Sequence, residues 1–214
     1  MSSVAAIVLA AGQSKRMGAF KPFLPFGVSS VIKTTIRYLE RGGCHPILIV
    51  IGHRAEELQR HLSEEEVTVV LNDELDTEMG KSIEIGVKAL PTTTSAVLIT
   101  PADQPAVSSS IVSQLIKQWK LGASLIVPTW QERGGHPVLV DLSYRDELQH
   151  LAKETGLKAF FNIHRAQVLR LAVDDPYIAR DMDTWDDYIR LHREVVRTKP
   201  LESMTSNESS DPVI

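Results

Sequence analysis

The sequence predicts an α/β domain in which a mostly parallel sheet carries helices on both faces, with a small antiparallel addition. Up to Val127, short continuous apolar runs alternate with helix-length amphipathic segments, and strands buried on both faces of a parallel sheet have this appearance. After Pro128 this alternation of apolar runs and helix-length segments changes. Further strand-like runs indicate the antiparallel addition near residues 128–175. The expected architecture is a Rossmann-like sheet in three layers.

The elements of the first part follow from apolar runs and helix stop signals. The predicted strands are Val4–Leu9, Pro46–Ile51, Val67–Leu71, Ala96–Thr100 and Ser124–Val127. The predicted helices are Val31–Arg41, Arg54–His61, Lys81–Leu90 and Ser108–Leu121. Gly42 and Gly43 end the first helix, Pro91 ends the third, and Ser108 is an N-cap candidate for the fourth.

The second part contains shorter elements. Its predicted strands are Pro137–Asp141 and Gln167–Val173, which we expect as insertions at one end of the domain. Its predicted helices are Tyr144–Lys153, Gly156–Ile163 and Thr184–Val195. Thr184 and Asp187 have the spacing of a capping box. From Arg197 the chain is polar and lacks periodicity, so we expect a domain of residues 1–196 and a disordered tail of residues 197–214.

Composition limits the class of protein. The 214 residues carry 23 basic and 27 acidic side chains, a formal charge of −4, which disfavours a general nucleic-acid binder. Cys44 is the only cysteine, so a disulfide framework and a multi-cysteine zinc site are excluded. The sequence shows neither an apolar stretch of membrane-spanning length nor a secretion signal, so we expect a cytoplasmic protein without a membrane partner.

A loop with two glycines after the first predicted strand is a candidate anion site. The stretch VAAIVLAAGQSKRMGAFKPFLPFG passes from an apolar run into a loop holding Gly12, Lys15, Arg16, Gly18 and Lys21. Ligands bind at the carboxyl ends of strands in open α/β sheets. The glycines permit positive φ and close approach of backbone amides, and Arg16 and Lys21 supply cations for phosphate. The spacing fits neither G-x-G-x-x-G nor Walker A, and an ordinary surface turn is the alternative.

Five segments, in order along the chain, resemble the motifs of the MobA-like nucleotidyltransferases. They are LAAGQSKRMGAFKPFLPFG, NDELDTEMGKSIEIGV, TPADQP, GGHPVLV and DMDTWDDY. They span Leu9 to Tyr188 and are most similar to the molybdenum-cofactor cytidylyltransferase branch. The resemblance implies a fold of the nucleotide-diphospho-sugar transferase type. Two departures are Ala102, where relatives often carry glycine, and Trp185, where they usually carry proline.

In that family a phosphate of the acceptor attacks the α-phosphorus of a nucleoside triphosphate, and pyrophosphate leaves. The attacking phosphate is already an anion, so the reaction needs charge neutralisation and positioning rather than a strong general base. The resemblance implies that Arg16 and Lys21 bind the triphosphate, with Lys21 the stronger catalytic candidate. The residues that it places around base and sugar are Leu9, Ala10, Ala11 and Gly12. Ala11 favours CTP, because cytidylyltransferase relatives tend to have L-A-A-G here.

Three aspartates are candidates for a Mg²⁺ site. Asp103 follows a predicted strand on a loop between two prolines, and Asp181 and Asp183 project to the same side of an extended segment. Mg²⁺ prefers one or two carboxylates together with phosphates and waters. The alternatives are a turn aspartate at 103 and a purely helix-stabilising role for Asp183. With the other motifs present, we expect all three to bind the metal and Asp103 to be catalytic.

Four further residues complete the predicted site. Asn72 follows the third strand and is expected to contact base or ribose. Gly80 and Ser82 begin a helix whose amides suit an anion or a sugar hydroxyl, although a plain helix start is equally compatible. His136 is expected to contact the acceptor or its phosphate, with a structural histidine as the alternative. Lys21 is expected to be an exposed loop lysine, so that its removal weakens catalysis more than stability.

The predicted function is Mg²⁺-dependent transfer of CMP from CTP to the phosphate of molybdenum-bearing molybdopterin. The resemblance also implies a molybdenum hydroxylase as the recipient of the product. Within the class, GTP as donor and a sugar or polyol phosphate as acceptor remain open. In other classes, a nicotinamide-dependent oxidoreductase and a non-catalytic cofactor-delivery protein remain open. The missing G-x-G-x-x-G, and the absence of an acidic residue after Ile51, count against the oxidoreductase.

Overall fold

A computed structural model describes residues 3–14, 16–74, 79–151 and 156–196. Lys15, the end of the predicted helix Tyr144–Lys153 and the expected tail at residues 197–214 lie outside the described residues. None of the helices in the described ranges combines the length and the apolar character needed to cross a bilayer.

The described strands follow the predicted order, with three short ones in addition. They are β1 (Ser3–Ala10), β2 (Pro25–Phe26), β3 (Ser29–Ser30), β4 (Ile47–Ile51), β5 (Thr68–Leu71), β6 (Thr94–Pro101), β7 (Leu125–Trp130), β8 (Arg133–Gly134), β9 (Val138–Asp141) and β10 (Val168–Ala172). The described helices are α1 (Val31–Gly42), α2 (Ala55–His61), α3 (Met79–Ala89), α4 (Ser109–Lys120), α5 (Arg145–Leu148), α6 (Gly156–Ile163) and α7 (Trp185–Val195). Gly43 ends α1 with φ of 102°, as a left-handed C-cap requires.

The main sheet is mostly parallel, as predicted. Its strands run in the order β10–β7–β9–β6–β1–β4–β5, and β8 pairs with β7. The central strand β1 is parallel to β6 and β4, and β5 is parallel to β4. The carboxyl ends of these four strands therefore meet at one edge of the sheet, where an open α/β sheet binds its ligands.

The antiparallel strand β9 lies inside the sheet rather than at its end. It pairs antiparallel with β6 on one side and with β7 on the other. Val138, Leu139 and Val140 are all buried, so the strand is covered on both faces and belongs in an interior position. The prediction of an insertion at one end is wrong for β9 and holds for β10, which is the edge strand beside β7. The predicted antiparallel direction holds for β9 and is wrong for β10, which is parallel to β7.

Helices cover both faces of the sheet. Alternate residues of β1 enter different cores, with Ala6 and Val8 in one and Ala5 and Ile7 in the other. The first core includes buried side chains of α1, α2 and α4. The second includes buried side chains of α3, α5 and α6. The predicted three-layer arrangement is therefore confirmed.

The predicted helix Tyr144–Lys153 is mostly wrong. Residues Leu142–Tyr144 form a 3-10 turn and α5 is only one turn long. The Asp141 side chain accepts a hydrogen bond from the Ser143 amide, which begins a tight turn. The Arg145 guanidinium then donates to the carbonyls at the end of α3, so the chain is held there instead of continuing as a helix.

A third, smaller core fixes the last helix against the loop that follows β1. The capping box at the start of α7 is confirmed, because the Thr184 hydroxyl accepts from the Asp187 amide and an Asp187 carboxylate oxygen accepts from the Thr184 amide. The Tyr188 hydroxyl donates to the carbonyl of Pro25 in the β2–β3 hairpin at 2.8 Å. Met17 and Met182 are buried in the same core. This packing brings the segment before α7 to the first loop.

Candidate functional site

The loop after β1 is a tight turn. The Ser14 carbonyl accepts the amides of both Met17 and Gly18 at 3.2 Å. Ser14 and Gly18 have φ of 53° and 68°, so the expectation of positive φ is met at Gly18. Gly12 is not in that region, and a Cβ placed on it would meet no atom of the described residues within 4 Å. Its contribution is free space beside the loop.

Lys21 is the centre of the site. It begins a short 3-10 helix and is only 8% exposed. Its ammonium donates to Oδ2 of Asp103 at 2.8 Å and to Oδ1 of Asp183 at 2.7 Å. The expectation of an exposed loop lysine is therefore wrong, because the side chain is buried and its ammonium is bonded to two carboxylates. Three distant segments of the chain meet at one ammonium group.

Arg16 extends this network towards solvent. Its Nη1 lies 2.6 Å from Oδ2 of Asp183, and its side chain is 76% exposed. Asp183 is thus shared by a buried and an exposed cation. The ion pair of Arg16 contributes little to stability at such exposure, so the guanidinium is available to a ligand.

The charges in this network alter the proton affinity of both partners. Burial alone would lower the pKa of Lys21, but hydrogen bonds and charge attraction from Asp103 and Asp183 outweigh it, and the pKa is raised. The hydrogen bond from Lys21 lowers the pKa of Asp183, and burial opposes this only in part. The lysine is therefore an ammonium and Asp183 a carboxylate at neutral pH.

The loop after β6 holds Asp103 rigidly. The Ala102 amide donates to the carbonyl of Leu9 at 3.0 Å, and the Ala102 carbonyl accepts from the Thr35 hydroxyl at 3.4 Å. The next residue, Gln104, is 2% exposed and donates through Nε2 to Oδ1 of Asp181 at 2.8 Å. Sequence reasoning missed Gln104. Its place beside Asp103 in TPADQP was the available signal.

The predicted three-aspartate metal set is not assembled as such. Across the ranges that the structure describes, no three His, Cys, Asp or Glu side chains are grouped as metal ligands. Asp103 and Asp183 converge on Lys21, whereas Asp181 is hydrogen-bonded to Gln104. Asp181 as a metal ligand stays a prediction, and the structure adds that the buried Gln104 amide donates to one of its carboxylate oxygens. Asp183 does more than favour the start of α7, since it contacts both Lys21 and Arg16.

A cavity of about 320 Å³ opens beside this network. It brings together most of the predicted nucleotide-binding residues. They are Leu9, Ala10, Ala11, Gly12, Lys21, Ser82 and Asp103. Asn72 is buried and donates to the Ser82 hydroxyl at 3.0 Å, so it positions Ser82.

A second cavity of about 670 Å³ contains Gly80 and His136. The two cavities share Met79 in their walls. The His136 amide donates to the Ile178 carbonyl at 2.8 Å, and a Cβ on Gly135 would lie 2.1 Å from that same oxygen. Burial lowers the pKa of His136, against the opposing charges of Asp181 and Asp103. The imidazole is therefore neutral at pH 7.

A family model described as a MobA-like NTP transferase domain matches residues 6–182. The chain belongs to this family. The match begins inside β1 and ends one residue before Asp183, so it contains both cavities and all but one of the predicted site residues.

Three characterised members related to this MobA-like chain have different activities. It is 27% identical to the nicotine blue oxidoreductase of Paenarthrobacter nicotinovorans, over 88% of the chain and 96% of that protein. It is 26% identical to the molybdenum cofactor cytidylyltransferase of Escherichia coli, over 88% of the chain and 95% of that protein. It is 29% identical to the 2-phospho-L-lactate guanylyltransferase of Methanobrevibacter ruminantium, over 73% of the chain and 71% of that protein.

Solved structures share the MobA-like fold of this chain. Rv0371c from Mycobacterium tuberculosis superimposes with a TM-score of 0.79 at 24% identity, covering 90% of this chain and 98% of that one. A structure of Rv0371c in complex with manganese superimposes with a TM-score of 0.75 at 23% identity, covering 91% and 100%. At these identities the likeness concerns the fold.

Proposed function

We propose that this MobA-like nucleotidyltransferase moves CMP from CTP onto a phosphate of molybdenum-bearing molybdopterin, with a divalent metal ion, Mg²⁺, and release of pyrophosphate. The observation that carries the proposal is the position of Lys21. Its ammonium lies between Asp103 and Asp183 at the wall of the 320 Å³ cavity, which the loop after β1 also lines. The cavity thus has the Lys21 ammonium and the Asp103 carboxylate in its wall, with Asp183 bonded to the same ammonium, and it has free space beside Gly12.

The chain's own residues suit phosphoryl chemistry. A phosphate oxygen of the acceptor forms a bond to the α-phosphorus of CTP, and the bond from that phosphorus to the pyrophosphate oxygen breaks. Lys21 and Arg16 would hold triphosphate oxygens and balance their charge, and the short loop would fix the α-phosphorus in line with the acceptor. The residues described around Lys21 include no hydroxyl or thiol activated by a neighbouring base, and this reaction needs none.

The donor set of the site fits Mg²⁺. Two carboxylates that already converge on one cation, at 2.8 and 2.7 Å from Lys21 Nζ, leave the remaining positions of an octahedral ion to phosphates and waters. Asp103 and Asp183 would hold the ion, with Asp181 supporting the site through Gln104. Such an ion neutralises charge on the reacting phosphate. The manganese complex of a protein with this fold is consistent with this assignment.

CTP is favoured over GTP on two grounds. Ala11 stands where cytidylyltransferase relatives carry alanine, and it lines the cavity. The relative from Escherichia coli is a cytidylyltransferase matched over almost its whole length. Because one relative is a guanylyltransferase, GTP remains the alternative donor, together with another phosphorylated acceptor. We also propose that residues 1–196 are the catalytic domain and that residues 197–214 are dispensable for activity. A molybdenum hydroxylase is the proposed recipient of the product.

A second candidate is an oxidoreductase, because the nicotine blue oxidoreductase is matched as completely as the cytidylyltransferase. Thermal unfolding with CTP, GTP, ATP or NADPH, each with Mg²⁺, separates the candidates, since a ligand that binds the folded state raises its midpoint. We expect CTP to give the largest rise. A rise with NADPH alone would favour the oxidoreductase.

The reaction itself is tested by pyrophosphate release. Protein, CTP, Mg²⁺ and molybdenum cofactor are mixed, and pyrophosphate is followed with and without cofactor. We expect release only when all components are present, and less with GTP. If pyrophosphate release does not depend on the molybdenum cofactor but depends on another phosphorylated acceptor, that acceptor replaces the molybdenum cofactor in the proposal.

A further inference from the structure

The 670 Å³ cavity is placed to receive a second substrate. It lies between α6 and the strands β7, β9 and β10, and it shares Met79 with the 320 Å³ cavity. His136 lines it, and the charges of Asp103 and Asp181 act on the His136 ring. Asp103 itself lines the smaller cavity, so one carboxylate of the network belongs to the cavity that adjoins this one at Met79. A molecule in the larger cavity can present a group to a nucleotide in the smaller one.

The inner wall of this larger cavity is apolar. Five side chains form it, from strands β7, β9 and β10 and from helix α6. They are Val127, Val138, Leu157, Phe161 and Val168. Phe161 is the one Phe, Tyr or Trp side chain among the described lining residues. Such a wall suits a flat or ring-shaped body, which stacks on an aromatic face and displaces water from the aliphatic groups.

The rim is cationic. Lys158, Arg165 and Arg170 line the cavity, and the described lining residues include no Asp or Glu. Lys158, Phe161, Asn162 and Arg165 follow the spacing of one helical face that continues past the end of α6. Arg170 donates to the Glu132 carbonyl at 2.8 Å, and none of the three cations is ion-paired among the residues that the structure describes. Three cations without carboxylate partners, in a chain of charge −4, form a local field for anions.

We propose that this cavity binds the acceptor, and that Lys158, Arg165 and Arg170 select an acceptor with anionic groups besides its reacting phosphate on a flat, largely apolar body. The acceptor role rests on the proposed function, whereas the binding of a flat polyanion does not. The three cations are specificity-determining residues, and none of them belongs to the motifs by which the family is recognised. An acceptor with one phosphate and a polar sugar body leaves both the apolar wall and the cations unused.

Binding is tested with pyranine, a flat fluorescent ring with three sulfonates, by fluorescence anisotropy on the full chain. Each titration is run without and with saturating CTP and Mg²⁺. Pyranine binding that disappears when CTP is present is binding at Arg16 and Lys21 rather than in the larger cavity. We expect Lys158→Gln/Arg165→Gln to weaken binding at least tenfold. The matched control, Arg41→Gln/Lys117→Gln, removes two exposed cations on the opposite face of the sheet and should stay within twofold. Binding should also weaken with added salt, and uncharged 1-hydroxypyrene should bind less tightly.

Equal affinity of the wild type and the cavity variant, equal losses in both double variants, or equal binding of 1-hydroxypyrene would overturn the proposal. Both substituted cavity residues are exposed, so the fold should persist, and thermal unfolding checks it. If the double variant does not fold, Lys158→Gln alone should still weaken binding at least threefold. Stabilisation by CTP with Mg²⁺ should be the same in all variants. A further outcome is that CTP fails to bind the wild type while pyranine binds the variants with the expected differences in affinity. That result would overturn the transferase proposal and support the binding of a flat polyanion in the larger cavity.

Discussion

The ammonium of Lys21 lies 2.8 Å from a carboxylate oxygen of Asp103, although 82 residues separate them in sequence. Asp183 approaches the same nitrogen at 2.7 Å. The loop after β1, the loop after β6 and the segment before α7 therefore meet at one point. Because an ammonium and a divalent ion are both cations that two carboxylates attract, Lys21 occupies the position that the proposed metal would compete for.

Removing this lysine should strengthen metal binding while it impairs the enzyme. In Lys21→Met the two carboxylates lose their cation, so we expect Mn²⁺ to bind the nucleotide-free protein at least about tenfold more tightly than in the wild type. Electron paramagnetic resonance of free Mn²⁺ measures this directly. Stability without metal should fall by about 2 kcal/mol, because hydrogen bonds to charged groups are lost.

Lys33→Met is the matched control for that experiment. Lys33 forms a partly buried ion pair with Glu65 at 3.0 Å, away from both cavities. It should lose some stability and leave Mn²⁺ binding unchanged. Weaker Mn²⁺ binding in Lys21→Met than in the wild type would show that the two carboxylates do not hold the metal.

Asp103→Asn should abolish turnover and keep the fold. The amide has the shape of the carboxylate, but it carries no charge for a metal ion. We expect the pyrophosphate release rate to fall about 100-fold or more, the size of effect seen when one electrostatic contact to a transition state is removed. Circular dichroism and unfolding temperature control for structure. Wild-type turnover in this variant would remove Asp103 from the site.

The variant Gly12→Ala tests whether CTP occupies the space beside Gly12, without disturbing the fold. Its Cβ would meet no atom within 4 Å in the part of the chain that the structure describes, so the unfolding temperature should be unchanged without ligand. CTP affinity should fall about tenfold because the methyl group enters the cavity. Gly42→Ala is the contrasting variant. Its Cβ would lie 2.3 Å from Val112, so it should lose about 1–3 kcal/mol through overpacking. A CTP affinity in Gly12→Ala equal to that of the wild type would place the nucleotide elsewhere.

His136 should contribute to the pH dependence of stability. Burial holds its pKa below the ordinary value of 6.5, so the unfolded chain binds the proton more tightly than the folded one. Stability from this group is therefore complete above pH 6.5 and is lost as the pH falls from 6.5 to the lower folded pKa. Urea unfolding between pH 7.5 and 5 measures the slope.

His136→Gln should make that slope shallower. It should not abolish it, because burial also lowers the pKa of His61. The exposed His45→Gln is the control and should keep the wild-type slope. An unchanged slope in His136→Gln would contradict the assignment of a partly buried, neutral imidazole.

The sequence predicted the parallel part of the fold well, because each buried strand is a continuous apolar run and each helix has a clear stop such as Gly43 or Pro91. It placed β9 wrongly, because an apolar run such as Val138–Asp141 carries no information about its neighbours in the sheet. The overlong helix at Tyr144 failed for a different reason. The hydrogen bonds of Arg145 to the carbonyls of Val87 in α3 and of Pro91 just after it come from tertiary structure.

The candidate site was predictable in its residues but not in their environment. Motif resemblance identified Lys21, Asp103 and Asp183, which do lie together. It gave no indication that Lys21 is buried, since its partners Asp103 and Asp183 lie 82 and 162 residues away in sequence. The role of Gln104 also required coordinates, because its partner Asp181 is 77 residues away. Lys158, Arg165 and Arg170, which line the larger cavity, belong to no motif.

The most direct measurement is a crystal structure with α,β-methylene CTP and Mn²⁺, in which anomalous scattering locates the metal. The proposal predicts an Mn²⁺ peak in contact with carboxylates of Asp103 and Asp183, and Lys21 turned from them to a phosphate oxygen in the 320 Å³ cavity. A nucleotide bound outside that cavity, with Lys21 still hydrogen-bonded to both aspartates and no metal beside them, would contradict it.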